Sequence, residues 1–495
     1  MGACCSAPSQ RGSLVLGTAS VKPLHEVSTA VEHHVAAAPV PARVVSTAED
    51  FQEHKAQLLA AMQQEQTELV SLSESGNDRP NMRAPWRLPK TRIREAGKIR
   101  PWYANGGLAL QPLLQCTTLL DVRWLVELAK GLVCPELNGV LPAWQQLPPD
   151  AAVTLDSLLA YTGYGLPIIV LSYPWASKDH ADPTGRHLAS LLPLLEVFVR
   201  DCDACGGAHA SCGVLWDWAS FPQRGQTAAR ADGVEDRSPL ERARFQLGLE
   251  HINVWYSAPY TFSVLLDTPL HESAPNQVPY DRRGWTCFER RISCLVKAKR
   301  CLLSIRSLQE AVKAGLDLSQ LVSTVDLADR AMEYARNIRP VPMLPERFEE
   351  LVRCEALEGR LAFTNGHDLT DVIIPQYRTC FMAALGEVSK LVFVKCEWSD
   401  DDACELARAL KYAHEHGALR KLKQLYLSGN TFGDQGLAAM RQLFEQGVLD
   451  GLRFVDMKGS CGSASEEAVQ ALQAAAASRH LARPNAKGKI ALRLS

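Results

Sequence analysis

Four short apolar runs, separated by amphipathic segments, form the middle of this chain. Residues 166–173 are a continuous apolar run rich in β-branched side chains, and similar runs occur at 213–218, at 260–267 and near the end of 296–305. Such short continuous runs are typical of strands that are buried on both faces. The segments between them have apolar positions at helical spacing. Because the strands alternate with helices, the pattern predicts an α/β fold with a parallel sheet flanked by helices.

A second periodic pattern occupies the C-terminal part of the chain. Three stretches share the spacing L-x-x-L-x-L-x-x-N/C, and they begin at Val388, Leu422 and Leu449. A helical segment follows each of them, and an imperfect unit at Leu361 and Phe363 precedes them. The period of roughly 30 residues and the segment NTFGDQGL resemble ribonuclease-inhibitor-type leucine-rich repeats. The resemblance implies a short α/β leucine-rich-repeat module that binds a protein partner, with packing on the neighbouring domain as the alternative.

The N-terminal part has weaker patterns. Residues 1–45 are rich in Ala, Val, Pro and Ser without a period, which predicts a disordered tether. A helix is expected to begin near Ser46, which forms a capping-box pattern with Glu49. Its apolar positions are sparse, so a solvated or partner-binding helix is predicted rather than a core helix. The predicted domains are the tether at 1–45, a helix and basic linker at 46–107, an α/β domain at 108–345, a repeat module at 356–480 and a basic tail at 481–495.

Composition narrows the class of protein. The chain has 495 residues, of which 46% are apolar and 22% charged, as is ordinary for a soluble globular protein. Its formal net charge of −2 gives no overall attraction to nucleic acid. The 15 cysteines are scattered and odd in number without a secretory signal, which fits a reduced cytosolic compartment. No apolar run is long enough to span a bilayer, so no transmembrane segment is predicted.

The first six residues, MGACCS, match the pattern for N-myristoylation. Gly2 is the predicted site of myristoylation, and the adjacent Cys4 and Cys5 are predicted sites of palmitoylation. One myristoyl chain holds a protein to a membrane only weakly, so a second lipid makes physical sense. The alternative is a chance glycine beside two ordinary cysteines. Lipid anchoring predicts a location on the cytoplasmic face of a membrane.

A basic stretch at 79–100 is a second candidate for membrane contact. It carries eight Lys and Arg residues and one acid, Glu95, with Trp86 and Trp102 interleaved or adjacent. Next to a lipid anchor it is expected to lie on anionic lipid, where each basic residue contributes about 1 kcal/mol. A solvated linker, or arginines packed on the following domain, is the alternative. A nucleic-acid partner is not predicted, because the rest of the chain supplies no matching basic surface.

The segments that follow the predicted strands are the candidate ligand site, because ligands bind beyond the carboxyl ends of parallel strands. A helix beginning near Trp285 places Glu289 four residues on along the same face. Taken alone, this helix favours an ion pair between Glu289 and one of its neighbouring arginines. Taken with the strand ends, Glu289 is the candidate catalytic residue. Aromatic core packing and loop capping are the alternatives for the remaining candidates, which are Ser172, Tyr173, Trp175, Asp217, Ser220, Gln223, Arg283 and Trp285.

One cysteine-rich loop has the residue types of a zinc site. Cys202, Cys205, His209 and Cys212 have the spacing C-x2-C-x3-H-x2-C, and all four are ligands that zinc accepts. The spacing is tighter than that of common zinc knuckles, and a solvated loop is the favoured interpretation.

The order of four motifs gives a resemblance to a known family. LSYPW, LWDWASFPQ, the helix ending INVWYSA, and RGWTCFERRISCLVKAKRCLL together resemble the HET (heterokaryon-incompatibility) domain. HET domains are in turn similar to TIR domains. The resemblance covers about residues 160–305. In TIR-like relatives that cleave NAD, the carboxylate of the tryptophan–glutamate helix acts in catalysis, and the matching residue here is Glu289.

Several positions depart from the HET motifs. Ala176 replaces a glycine, Ser220 and Pro222 replace the usual Cys and Asp, and Phe288 replaces the Gln before Glu289. The resemblance implies a HET/TIR-like domain in a signalling or defence-type protein that cleaves the nicotinamide–ribose bond of NAD. The alternative is a non-enzymatic scaffold in which the α/β domain self-associates into a homo-oligomer and the repeats bind a protein. A cleft around Glu289 favours the first hypothesis, and an arginine ion pair favours the second.

Overall fold

The computed structural model describes residues 48–74, 93–95, 98–225, 235–334, 339–363, 365–482 and 491–494. The predicted lipidation sites Gly2, Cys4 and Cys5 and most of the basic stretch at 79–100 lie outside these residues. Within them, the strands β1 to β11 are, in chain order, Arg94–Glu95, Lys98–Ile99, Leu120–Asp121, Ile168–Ser172, Gly213–Leu215, Phe262–Leu265, Leu302–Ser304, Lys390–Val392, Gln424–Tyr426, Phe454–Asp456 and Ala491–Arg493.

The described α-helices, α1 to α16 in chain order, are Ala48–Glu74, Pro101–Ala104, Gly107–Leu110, Val122–Ala129, Leu155–Ala160, Arg186–Gly206, Asp217–Ser220, Pro239–Ser257, Gly284–Ser293, Ile305–Lys313, Thr324–Met332, Pro345–Leu357, Ile374–Glu387, Asp400–Glu415, Asp434–Glu445 and Glu466–Ala482. A π-helical turn at Leu369–Ile373 leads into α13. In this part of the chain, no helix combines the length and the apolar character that a membrane crossing requires.

The first sheet confirms the predicted α/β class. Its strand order is β3-β5-β4-β6-β7, and the last four strands run parallel to one another. These four are the strands that the apolar runs predict, each somewhat shorter than its run. β4 is buried along its whole length, as a central strand covered on both faces should be. The carboxyl ends of β5, β4 and β6 therefore lie side by side.

The edge of this sheet differs from the prediction. Residues 115–132 have apolar positions at helical spacing, which predicts one amphipathic helix across Leu119 and Leu120. Instead, Leu120–Asp121 forms β3, which pairs antiparallel with β5. The Asp121 side chain accepts a hydrogen bond from the Arg123 backbone N–H at 2.8 Å and so starts α4 at Val122. The cap residue, whose own backbone is extended, separates the strand from the helix.

The first helix packs more closely than its sparse apolar positions predict. Met62 and Leu69 of α1 are buried, with exposed fractions of 6% and 1%. Lys55 pairs with Glu250 of α8 at 2.7 Å, and Glu65 accepts a hydrogen bond from the Gln111 side chain at 2.9 Å. A narrow apolar stripe on α1 is enough, because polar contacts add to its packing on α8 and on the 3₁₀ turn Gln111–Gln115.

The second sheet is fully parallel and has the order β11-β10-β9-β8. The helices α14, α15 and α16 alternate with its strands, so each strand and the helix after it form one repeating unit. Leu391, Leu425 and Val455 occupy equivalent positions in adjacent strands, and all three are fully buried. We call residues 388–494 the repeat module.

Pairing in the second sheet corrects three details of the predicted repeat. Phe454 pairs with Gln424, so Leu452, Val455, Met457 and Ser460 form the third unit, three residues later than the unit that began at Leu449. The expected basic tail contributes β11, which pairs with β10. The imperfect unit at Leu361 and Phe363 forms no strand of this sheet; instead Ala362 bridges to Arg283 beside the first sheet.

Candidate functional site

A cavity of about 740 Å³ lies at the carboxyl ends of β4 and β5. Polar and aromatic side chains from several elements line it. Seven of the nine residues that the sequence places in a ligand site are among them: Tyr173, Trp175, Asp217, Gln223, Arg283, Trp285 and Glu289. Segments that are far apart in the chain converge here because their strands are neighbours in the sheet.

Glu289 is held by hydroxyl groups. It lies on α9, and the hydroxyl groups of Ser172 and Tyr256 interact with its carboxyl group. The Tyr256 hydroxyl donates a hydrogen bond to the Leu171 carbonyl oxygen at 2.5 Å. The Ser172 hydroxyl also lies 2.8 Å from the Tyr280 hydroxyl, which fixes its position at the end of β4. Burial raises the pKa of Glu289 well above its ordinary value, and the nearby charge of Asp217 raises the pKa further, against the lowering effect of the two hydroxyl groups.

The arginine ion pair favoured by the isolated helix is not found. None of the ion pairs in the described part of the chain includes Glu289. Arg282 bonds the carbonyl oxygen of Gly359 at 2.8 Å, and Arg283 bonds carbonyl oxygens on the opposite side of the cavity. Glu289 therefore opens into the cavity with only neutral donors around its carboxyl group.

Asp217 is the second carboxyl group of the cavity. It accepts hydrogen bonds from the Tyr173 hydroxyl, from the Trp175 indole N–H at 3.0 Å and from the Trp218 backbone N–H at 2.7 Å. Burial raises its pKa despite these three donors. Asp217 thus orients the two aromatic residues that follow β4, and this role does not require contact with a ligand.

Of the remaining predicted residues, some support the wall of the cavity and one lines the cavity itself. The Ser220 hydroxyl accepts a hydrogen bond from the Trp216 backbone N–H at 3.0 Å and is fully buried, so its role is structural. Gln223 lines the cavity, and its side-chain amide bonds the carbonyl oxygens of Asp217 and Phe221. Ser172 lies behind the cavity wall and contacts Glu289 rather than the open space.

One wall of the cavity comes from a segment that the strand-end argument does not include. Ala362, Phe363 and Asp368 line the cavity, although they lie about 75 residues beyond α9. The Asp368 carboxylate accepts a hydrogen bond from the Trp285 indole N–H at 2.9 Å. The Gly284 N–H and the Ala362 carbonyl oxygen are 2.9 Å apart, which joins the segment to the start of α9. No local pattern in the sequence signals this contact, because it is long-range.

The predicted zinc ligands do not converge on one point. Among the described residues no group of three or more potential metal ligands is found. Cys202 and Cys212 are buried, while His209 is exposed on a short 3₁₀ turn. Burial raises the pKa of the Cys202 thiol to about 12, which disfavours the thiolate that zinc binds. The zinc site therefore stays a prediction without support from this geometry.

Glu289 has no ion pair among the described residues, and Trp175, Trp285 and Arg283 line the same cavity. This set of side chains can bind a ligand that combines a flat ring, a sugar and an anion.

Comparison of the chain with protein-family models, with curated proteins and with solved structures finds no match in any of the three. The similarity to HET and TIR domains therefore depends on the sequence motifs.

Proposed function

We propose that the α/β domain is a HET/TIR-like effector that hydrolyses the nicotinamide–ribose bond of NAD, with Glu289 as the catalytic residue. The observation that carries the proposal is the position of the Glu289 carboxyl group, which faces a 740 Å³ cavity and has no ion pair in the described residues. A cavity of this size is within the range of small-molecule sites. A carboxylate committed to an arginine pair would have argued for a structural role.

The reaction requires charge stabilisation at the ribose. The bond between C1′ and the nicotinamide nitrogen breaks, and its electron pair neutralises the positive ring of the leaving group. The ribose then carries an oxocarbenium-like charge, which a neighbouring carboxylate stabilises. Water attacks C1′ and loses a proton. NAD and water thus yield ADP-ribose, nicotinamide and one proton.

The environment of Glu289 fits this role. Burial raises the pKa of Glu289 and thereby shifts the carboxyl group towards its protonated form before a ligand binds. A positively charged nicotinamide ring favours the ionised form and lowers that pKa when it binds. The carboxylate then gains its charge where the reaction develops positive charge. Trp175 and Trp285 line the same cavity, and indole rings are suited to stacking on a flat ligand ring.

Nicotinamide release by the purified full-length protein tests the proposal. The Glu289→Gln variant keeps the size of the side chain and its hydrogen bonding to Ser172, and we expect it to lose at least about 100-fold in kcat. The matched control is Glu310→Gln, which changes an exposed glutamate on α10 and should keep both activity and melting temperature. Absence of turnover with both NAD and NADP, in dilute and concentrated protein, would refute the proposal.

The rest of the chain suggests how such an effector is controlled. We propose that the repeat module is a ribonuclease-inhibitor-type leucine-rich-repeat sensor for a protein partner.

We also propose that lipids on Gly2, Cys4 and Cys5 attach the chain to the cytoplasmic face of a membrane, and that the basic stretch at 79–100 assists this attachment. A Gly2→Ala fluorescent fusion should leave the membrane fraction. Unchanged membrane localisation would contradict the lipid anchor.

A non-enzymatic scaffold is the second candidate, and one observation favours it. The open side of the second sheet carries Tyr426 and Phe454, half-buried, with ring centroids 5.3 Å apart. The Lys390 ammonium lies 4.6 Å from the centre of the Tyr426 ring. Exposed aromatic pairs with a neighbouring cation are typical of protein-binding surfaces. A monomer at every concentration in sedimentation experiments, with no partner lost on Tyr426→Ser, would argue against the scaffold.

A further inference from the structure

The positive side chains of the cavity point to the chemistry of its ligand. Arg283 is half-buried in the cavity wall and donates to three main-chain carbonyl oxygens: Trp175 at 2.8 Å, Val278 at 2.8 Å and Asn276 at 3.4 Å. A guanidinium group has five N–H donors, so these three bonds leave two unused. No carboxylate pairs with Arg283 within the described part of the chain. Its acceptors are neutral, and its charge is therefore uncompensated.

Burial of this charge has a cost that an anion would remove. Desolvation lowers the pKa of Arg283 to about 10, well below that of an arginine in water. The guanidinium group is still charged at neutral pH. A desolvated cation without a counter-ion is favourable only where something else meets its charge. The three carbonyl oxygens fix the direction of the guanidinium plane, and Arg283 lines the cavity with two N–H donors that have no acceptor among the described residues.

Lys178 provides a second cation at the same cavity. It is exposed, it lines the cavity, and no ion pair involving it is found among the described residues. Its turn is rigid, because the Ser177 hydroxyl accepts a hydrogen bond from the His180 N–H at 2.9 Å and the Ala176 N–H bonds the Ala181 carbonyl oxygen at 2.9 Å. Arg283 contacts the same loop through the carbonyl oxygen of Trp175, so both cations are positioned by the segment that follows β4.

No carboxyl group of the cavity forms an ion pair with Arg283 or Lys178 among the described residues. Asp217 accepts hydrogen bonds from neutral donors, and Glu289 lies beside two hydroxyl groups. The third carboxylate, Asp368, accepts the indole N–H of Trp285. An anionic ligand group beside Arg283 and Lys178 therefore meets two cations, one of them largely desolvated, where charge-assisted hydrogen bonds are strongest.

We propose that Arg283 and Lys178 form an anion subsite that binds the two phosphates of a nucleoside diphosphate group, while a tryptophan ring of the cavity contacts the flat base. The choice of a nucleotide rests on the proposed function. The Arg283 fork contacts one phosphate through its two unused N–H groups, and the Lys178 ammonium contacts the neighbouring phosphate. The subsite makes the diphosphate, rather than the nicotinamide, the main source of affinity.

Calorimetric titration of the full-length protein with ADP and with adenosine tests the subsite, because the two probes differ only in the diphosphate. We expect ADP to bind at least tenfold more tightly than adenosine. Lys178→Gln should weaken ADP binding about 3- to 10-fold and leave adenosine binding unchanged. Arg283→Lys, which keeps the charge but loses the fork, should weaken ADP binding more than tenfold. Lys313→Gln, an exposed lysine on α10 outside the cavity, is the matched control.

The result distinguishes the subsite from the proposed reaction. Equal affinities for ADP and adenosine, or ADP binding unaffected by Lys178→Gln and Arg283→Lys, would overturn the subsite. Failure to bind either probe would also overturn it. If ADP binds through both cations but no nicotinamide is released from NAD, the subsite stands and the hydrolysis fails. If nicotinamide is released from NAD but neither Lys178→Gln nor Arg283→Lys changes the affinity for ADP, the reaction stands and the subsite fails.

Discussion

At the scale of single residues, buried charge is the main feature of the α/β domain. Lys297 is fully buried, and its ammonium group donates to the carbonyl oxygens of Ala258 and Thr261, each at 2.7 Å, and to the Thr261 hydroxyl at 2.6 Å. These acceptors lie just beyond the C-terminal end of α8, where helix carbonyl groups lack partners. Lys297 thus joins the end of α8 to the segment that follows α9.

This lysine predicts a pH dependence of stability. Burial lowers the pKa of Lys297 from 10.5 to about 7 in the folded protein. Between about pH 7 and pH 10.5 the unfolded chain binds more protons at this residue than the folded chain, so the free energy of unfolding should rise with pH. The contribution has a slope of up to about 1.4 kcal/mol per pH unit.

Urea denaturation of the wild-type protein and of Lys297→Met across this pH range measures the contribution. The difference in the free energy of unfolding between these two proteins should change with pH. The corresponding difference between the wild-type protein and Lys313→Met, which changes an exposed lysine, should stay constant across the same range. A constant difference for Lys297→Met would mean that the lysine keeps an ordinary pKa in the folded protein.

At the scale of elements, the cavity depends on a close approach between α9 and the segment that leads to the repeat module. Gly284 is the first residue of α9, and a Cβ atom at this position would collide with the ring of Phe363. The same segment holds Trp285 through Asp368. The glycine therefore permits Phe363 to form part of the cavity wall.

Gly284→Ala should destabilise the protein by about 1–3 kcal/mol, because overpacking against Phe363 outweighs the gain of about 1 kcal/mol in helix propensity. Gly366→Ala is the matched control in the same segment, since a Cβ atom there meets nothing within 4 Å. We expect its effect to be within about 0.5 kcal/mol. Thermal unfolding of both variants measures the difference, and equal melting temperatures would show that Phe363 moves aside without cost.

At the scale of the whole molecule, one hydrophobic cluster joins the α/β domain to the repeat module. It includes Phe288 and Ile292 of α9 and Leu391 and Leu425 of the repeat module. Polar contacts follow the same junction. The indole N–H of Trp398 donates to the Arg339 carbonyl oxygen at 3.1 Å, and the Lys299 ammonium donates to the Lys395 carbonyl oxygen at 2.8 Å. The first repeat is therefore packed on the α/β domain as well as on its own neighbour.

Asn430 connects this junction to the rest of the repeats. Its buried side chain donates to the carbonyl oxygens of Phe393 and Leu427 and accepts from the backbone N–H groups of Cys396 and Trp398. Asn430→Ala leaves these groups unpaired and should cost about 2–4 kcal/mol. The exposed Gln435→Ala on α15 should cost less than about 0.5 kcal/mol.

Chemical denaturation followed by tryptophan fluorescence and by circular dichroism tests this prediction. Because nine of the ten tryptophans lie outside the repeat module (residues 388–494), a fluorescence transition that shifts together with circular dichroism in Asn430→Ala indicates that both sheets unfold together. An unshifted fluorescence transition would show that the repeats unfold alone.

Local patterns were sufficient for the four parallel strands of the first sheet, for the α/β class and for much of the cavity. Continuous apolar runs identify β4, β5, β6 and β7, because a strand covered on both faces has to be apolar throughout. Their parallel order then places Tyr173, Asp217 and Glu289 at one edge of the sheet. The period of the repeat predicts the second sheet, although the spacing alone assigned its third unit to the wrong register.

Only the tertiary structure decided which contacts each of these residues makes. The sequence allows Glu289 to be either a ligand-binding residue or a partner in an arginine ion pair, and the surrounding fold places the hydroxyl groups of Ser172 and Tyr256 beside it instead of an arginine. The wall formed by Phe363 and Asp368, the packing of α1 on α8 and the burial of Lys297 also depend on residues far apart in the chain. Periodicity reports which face of an element is apolar, whereas long-range packing determines what that face meets.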